Sequence, residues 1–328
     1  MRILSGIQPS GTLHLGNYLG AIKQHIALQA EADQALYTIV DLHALTVPQD
    51  PTRLADQILH VAAMYLACGL NPSHSILFIQ SHRPEHAELG WLLGTLTKLG
   101  ELERMTQFKE KGRGEERGSV GVGLLTYPTL MAADILLYQS THVPVGDDQV
   151  QHVELTRDLA ERFNRKYGET FTIPEAKLVE SGARIMGLDN PTKKMSKSAP
   201  SESNYIALTD DAQTVKRKLT KAMTDSGSEI TYADDKPALQ NLLTIFAGVT
   251  DETPVGIASR YDGKGYADFK ADLAEVITNF LAPIQERYQQ HLQDRAELLN
   301  ILHTGANRAE PLAQQTLQSA KEKLGLIL

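Results

Sequence analysis

Four short apolar runs, each handing over to a stretch of helical periodicity, restrict most strongly what this chain can become. Arg2-Ile3-Leu4, Ala35-Leu36-Tyr37-Thr38-Ile39-Val40, Ser75-Ile76-Leu77-Phe78-Ile79 and Thr141-His142-Val143-Pro144-Val145 read as buried strands. Between them, Tyr18, Leu19, Ile22 and Ile26, then Leu54, Ile58, Val61, Ala62, Tyr65 and Leu66, then Leu89, Leu92, Leu93 and Leu96 recur at helical spacing. Strands alternating with helices predict an α/β fold, a doubly wound parallel sheet with helices on both faces and right-handed crossovers. After Asp210 the strand pattern stops. Repeats through Leu239, Leu242, Leu243 and Phe246, and through Phe269, Leu273, Val276 and Phe280, predict a second, all-helical domain, and an amphipathic helix follows near residues 309–324.

In such a sheet ligands approach the strand ends, and polar residues gather there. Ser5-Gly6-Ile7-Gln8-Pro9-Ser10-Gly11-Thr12-Leu13-His14-Leu15-Gly16-Asn17 reads as a loop from the first strand into the first helix, a place where free N–H groups and the positive helix end attract phosphate. Its glycines are too widely spaced for the dinucleotide fingerprint. Gly11 and Gly16 have phosphate-loop spacing, but Asn17-Tyr18 stands where Lys and a hydroxyl are needed. What remains is His14-Leu15-Gly16-Asn17, two polar side chains around a glycine that lets a flat base lie on the backbone. A glycine turn with a capping Asn reads equally well. The second strand ends at Asp41 and His43, the third at Gln80-Ser81-His82, and Gly146-Asp147-Asp148-Gln149 repeats the opening pattern after the fourth. Asp134 sits inside the apolar run Leu130-Met131-Ala132-Ala133-Asp134-Ile135-Leu136-Leu137 with no evident basic neighbour; a buried carboxylate is costly unless hydrogen-bonded, so it either faces a ligand or satisfies a local donor.

The 328 residues suggest about two domains. Met1 is followed by neither a signal-peptide pattern nor a spanning apolar run, and a single cysteine, Cys68, excludes an internal disulfide, so a cytoplasmic protein off the membrane is expected. With 32 basic against 40 acidic residues, an RNA partner needs local basic patches. Two are candidates, Lys109, Lys111, Arg113 and Arg117, and Lys216, Arg217, Lys218 and Lys221; each also reads as solvated surface. Residues 112–123, glycine-rich, charged and aperiodic, are expected to be mobile without a ligand, and 181–203 reads as an exposed functional loop at a domain boundary.

That loop carries Lys194-Met195-Ser196-Lys197-Ser198, which resembles the second signature of class I aminoacyl-tRNA synthetases at every position. His14-Leu15-Gly16-Asn17, about 180 positions earlier, resembles the first, with Asn17 in the place of its last histidine. The runs 5–11, 100–109 and 131–136 narrow the resemblance to the bacterial tryptophanyl-tRNA synthetase family over essentially the whole chain. Tyrosyl-tRNA synthetases share both signatures but tend to open the cradle with Asp-Pro-Thr, where Gln8-Pro9-Ser10 stands here; the iron–sulfur members use several cysteines.

The resemblance implies a Rossmann-like catalytic domain over 1–195, joined by the C-terminal helix 299–328, and a helical anticodon-binding domain over 196–298. It implies activation of L-tryptophan by ATP and transfer to tRNA(Trp), in a homodimer. Gln8, Pro9, Ser10, Gly16 and Asn17 would line the ATP path, His14 would face the phosphates, Gly146, Asp147 and Asp148 the ribose, and Ile185 adenine. Lys194 and Lys197, with Met195, Ser196 and Ser198, would meet the triphosphate. Mg²⁺ would be bound through ATP phosphates with no protein ligand. Asp134 and Met131 are three apart on one helix face, which allows an indole pocket, completed by Leu4, Val40, His43, Val143 and Gln149. Alternatives are a tyrosyl-tRNA synthetase, a tRNA-independent adenylate-forming ligase of the same superfamily, and a non-enzymatic sensor built on a decayed synthetase.

Overall fold

The computed structural model describes residues 1–9, 11–111, 121–178 and 184–328. Ser10, Arg113 and Arg117, most of the 112–123 stretch and part of the 181–203 loop lie outside the described residues. The sheet has five parallel strands, β1 (Arg2–Ile7), β2 (Gln34–Ile39), β3 (Ser75–Ile79), β4 (His142–Val145) and β5 (Glu175–Leu178), in the order β3-β2-β1-β4-β5. The helices are α1 (Leu15–Asn17), α2 (Lys23–Glu31), α3 (Asp41–Ala44), α4 (Pro51–Cys68), α5 (Glu85–Gly94), α6 (Leu99–Glu103), α7 (Thr106–Lys111), α8 (Val122–Leu137), α9 (Val150–Tyr167), α10 (Ala212–Lys221), α11 (Pro237–Thr250), α12 (Pro254–Ser259), α13 (Tyr266–Gln293) and α14 (Arg295–Leu324). A π-helical turn, Tyr18–Ile22, joins α1 to α2. No helix among the described residues is long and apolar enough to cross a membrane.

The two-residue period of the strands divides the interior into two cores. Ile3 and Ile7, Tyr37 and Ile39, Leu77 and Ile79 face one way and pack with α4, α10, α11 and α13. Leu4, Leu36, Ile76 and Phe78 face the other way and pack with α5, α8 and α9. The register Leu4↔Leu36↔Ile76 keeps each layer on its own side. Helix α14 runs along the β3 edge and enters both cores, Leu298 and Leu302 in the first, Ala306, Ala309 and Ala313 in the second. Its Gly305 is the crossing point: a Cβ there would sit 1.9 Å from the Leu77 carbonyl oxygen, so no other residue permits this approach. Arg308 donates to the Ser75 carbonyl at 2.9 Å, so the sheet's outer edge is covered instead of left open to pairing.

Four departures from the sequence reading have physical causes. Strand β1 is three residues longer, because Ser5, Gly6 and Ile7 pair with Tyr37, Thr38 and Ile39, and that pairing overrides weak local strand preference; the loop begins at Gln8. Strand β5 had no apolar run to mark it, being a four-residue, half-exposed edge strand beside β4. The inner face of α13 is Phe269, Leu273, Ile277, Leu281 and Ile284, with Val276 and Phe280 only half-buried. Lys218 is no part of a basic surface: it is buried, bonded to Asp210 at 2.6 Å and set over the Tyr205 ring, leaving Lys216, Arg217 and Lys221 exposed on α10.

Candidate active site

From β1 the chain builds outward through β2 and β3, and beyond β4 lies β5, so β1 and β4 flank the point where the strand order reverses. Such a point leaves a crevice at the carboxyl ends of the strands. A cavity of about 450 Å³ lies there. It is lined by Leu4 and Gln8, by Val40 and His43 after β2, by Met131 and Asp134 on α8, by Val143 in β4 and by Gly146, Asp148 and Gln149 after it. All seven residues expected around an indole therefore border one space, although they come from four parts of the chain. Asp147, in the same turn as Asp148, does not border it. His25, Gln107 and Tyr127 do; Gln107 falls in the run 100–109, and no pattern in the sequence marks the other two.

Asp134 is buried and ionised. Burial alone would raise its carboxyl, but hydrogen bonds from His43 and His86 outweigh that and hold it at about 2. Nε2 of His43 lies 2.8 Å from Oδ2; Nδ1 of His86 and Nε2 of Gln80 lie 2.6 and 2.7 Å from Oδ1. An ionised carboxylate only accepts, so all three are donors. The missing basic neighbour is thus supplied from α3, α5 and the end of β3. Asp41, expected at the sheet edge beside His43, instead accepts the Leu42 and Ser81 N–H groups and braces the turn.

The two signatures meet on the same side of the sheet. Residues 13–15 pair with 206–208: Leu15 N donates to Ile206 O at 2.9 Å and Leu208 N to Leu13 O at 2.9 Å. Met195 N donates to Ile185 O at 3.0 Å, and Asn241 on α11 clamps Met186 through its N–H and its carbonyl, which seats the Lys194–Ser198 loop against the helical region. Ile185 and Met195 are buried there, while Lys194 and Ser198 are exposed. Gly11 has φ +65°, and a Cβ on it would stand 2.8 Å from Lys197 Nζ, so glycine admits both the turn and the lysine. Gly16 lies against the His14 ring and Met195. Pro9 is buried, and three chain steps lead from Gln8 at the cavity to Gly11 at Lys197, a reach of at most about 11 Å.

His14 is the link between the loops. Burial, then the charges of Lys194 and Lys197, push its ring down to about 4, so it is neutral near pH 7. Its Nδ1 is buried and has no hydrogen-bond partner among the described residues. Asn17 Oδ1 accepts from His14 N at 3.0 Å, so that oxygen caps its own helix and holds the side chain in place. Ser196 N donates to Asn204 Oδ1 at 2.9 Å, which pins the middle of the second loop. Burial lowers the Lys197 ammonium, as expected for a group moved part-way out of water.

Residues 1–282 match the tRNA synthetases of class I, W and Y. The Tryptophan--tRNA ligase of Caldanaerobacter subterraneus subsp. tengcongensis is 53% identical over 328 residues, covering 100% of this chain and 99% of that protein. That of Bacillus subtilis is 51% identical over 325 residues, covering 99% and 97%. The chain belongs to the bacterial tryptophanyl-tRNA synthetases. A crystal structure of the tryptophanyl-tRNA synthetase of Campylobacter jejuni, complexed with ADP and tryptophane, superposes with a TM-score of 0.87 at 38% identity and covers 99% of this chain and 100% of its own. A tyrosyl-tRNA synthetase from Archaeoglobus fulgidus, at a TM-score of 0.68, 20% identity and coverage of 88% and 90%, shares the fold alone.

One group beside the cavity ties the site to pH. His25, fully buried beside the cavity, bonds Ser5 Oγ at 3.0 Å, and burial holds its ring at about 4. Unfolded, the ring takes its proton near 6.5, so between those values the unfolded chain binds more protons and stability falls as pH drops. The share of the unfolding free energy due to this one ring, read from urea titrations, should be level above pH 7 and decline from about 6.5 through 4 by roughly 3 kcal/mol. His25→Gln should remove that share of the slope; an unchanged slope would contradict the assignment.

Proposed function

We propose that the chain joins the carboxylate of L-tryptophan to the α-phosphate of ATP, releases pyrophosphate, and passes the tryptophanyl group to the 3′ end of tRNA(Trp). The observation that carries this reading is the convergence of two loops about 180 positions apart, Gly11 at Lys197 and Gly16 at Met195, in a chain whose strand-end cavity is lined by an ionised, hydrogen-bonded Asp134 and, from the first loop, by Gln8. The tryptophan carboxylate attacks in line with the leaving pyrophosphate, and no side chain acts as covalent nucleophile. Catalysis is then alignment plus stabilisation of charge on the phosphate oxygens. Gln8 and the Gly146 to Gln149 turn hold the substrates at the strand ends, His14 donates to phosphate as a neutral ring, and Lys194 and Lys197 supply positive charge to the triphosphate. Met195, Ser196 and Ser198 shape that loop, Gly16 and Asn17 sit under the nucleotide, and Ile185 supports the loop from below through its backbone.

Asp134 accepts the indole N–H while Met131, Leu4, Val40 and Val143 pack on the ring; Gln149 and His43 complete the pocket. The groups that meet at the first loop are a neutral imidazole and two lysines, and among the described residues no cluster of His, Cys, Asp or Glu suits a metal ion. That donor set suits a triphosphate whose own oxygens and water hold Mg²⁺. The ion, when bound, neutralises phosphate charge.

We divide the chain into a catalytic unit, 1–195 with the helix 299–328, and a helical unit, 196–298, that reads the anticodon; α14 lying on β3 supports the first assignment. The chain works in the cytoplasm as a homodimer. Trp91 is 74% exposed and Val122 73%, and Gly123 lies against Thr46 between exposed Leu45 and Val47; these exposed apolar side chains support a reading in which a second copy covers them. Lys109 and the exposed cations of α10 are the described part of the basic surface offered to tRNA.

ATP–pyrophosphate exchange with each of the twenty amino acids should respond to tryptophan alone, and bulk tRNA should then accept it; exchange without charging would favour a tRNA-independent ligase. Lys197→Ala should slow adenylate formation about 10²–10³-fold with tryptophan binding nearly intact, because it removes charge stabilisation that develops in the transition state. Single-turnover formation at the unmodified rate would contradict the role.

A further inference from the structure

The two oxygens of an ionised carboxylate offer about four acceptor positions. On Asp134, Oδ1 receives Gln80 Nε2 at 2.7 Å and His86 Nδ1 at 2.6 Å, which uses both of its positions. Oδ2 receives His43 Nε2 at 2.8 Å and keeps one. His43 borders the cavity; Gln80 and His86 are fully buried and do not. Each of these two makes a second bond that fixes its own position. Gln80 Oε1 accepts Leu42 N at 3.1 Å, at the start of the helix that carries His43, so one amide sets Asp134 and His43 relative to each other. His86 Nε2 meets the Tyr138 hydroxyl at 2.7 Å, and Tyr138 follows Asp134 by one helical turn, so His86 grips the end of α8 at two successive levels and fixes its rotation.

We infer that Gln80 and His86 are positioning residues for tryptophan selection: by occupying Oδ1 they leave the cavity a single acceptor, Oδ2, aimed beside His43 at an N–H donor. The inference rests on the reading of Asp134 as the partner of the indole N–H. A carboxylate without these two donors turns about its last torsion and offers either oxygen, and the directionality that separates an indole N–H from other donors is lost.

The test compares L-tryptophan with β-(3-benzothienyl)-L-alanine, in which sulfur replaces the indole N–H, in ATP–pyrophosphate exchange by the full-length protein. His86→Leu and Gln80→Leu should each raise KM for tryptophan about 10–100-fold, the worth of a hydrogen bond to a charged group, and change KM for the sulfur analogue less than about threefold. His86→Asn, whose amide donates from nearly the place of Nδ1, should recover most of the loss even if the leucine variant folds poorly. Equal losses for the two substrates, no loss, or no recovery in His86→Asn would overturn the inference. If the unmodified protein handles the two substrates alike, the Asp134 reading itself fails and takes the inference with it, so the two failures are told apart by the unmodified protein alone.

Discussion

An ionised carboxylate inside an apolar helix is the constraint on which the site depends. Taking Asp134 out of water is costly unless its oxygens are paired, and α8 itself, from Leu130 to Leu137, has no side chain able to pair them. The donors come from elsewhere, His43 from α3, Gln80 from the end of β3 and His86 from α5. Each brings its element with it. The carboxylate thereby fixes how α5 and α8 lie against the carboxyl ends of β2 and β3, and the cavity walls follow from that.

The other half of the site obeys a second electrostatic rule. His14 is held neutral by burial and by two neighbouring lysines, and a neutral ring is able to donate a hydrogen bond without adding charge of its own. Backbone pairing between 13–15 and 206–208 ties the first loop to the segment that follows the second, and Gly11 and Gly16 pack against Lys197 and Met195. The helical region shares a continuous core with one sheet face, through residues such as Leu243 on α11 and Ile277 on α13, and therefore carries the second loop with it.

What the sequence made legible was whatever repeats locally. The apolar runs of β2, β3 and β4, the turn Gly146 to Gln149, and Met131 with Asp134 on one face of α8 follow from periods of two and of three to four residues. Local pattern fails where the partner is distant. Gln80 is marked as polar at a strand end, yet nothing in the chain announces that its amide reaches Asp134, 54 positions on. His86 reads as one more polar position near the start of α5, and its burial against Tyr138 is a tertiary fact. Lys218 shows the same limit from the other side, a cation on a basic helix that packing hides behind Asp210. Strand β5 exists because β4 offers it an edge, and its sequence Glu175-Ala176-Lys177-Leu178 has no apolar run of its own.

The central claim is that Asp134 selects the substrate by accepting the indole N–H. A phenylalanine bound in the same cavity would leave that acceptor buried and unpaired, which is how sites reject such analogues by roughly 10⁴–10⁵. The direct measurement is the ratio of kcat/KM for tryptophan to that for phenylalanine, in ATP–pyrophosphate exchange, for the unmodified protein and for Asp134→Ala. The account predicts that the ratio falls at least about 100-fold in the variant, with the loss concentrated on tryptophan. A variant that keeps the ratio of the unmodified protein would contradict it.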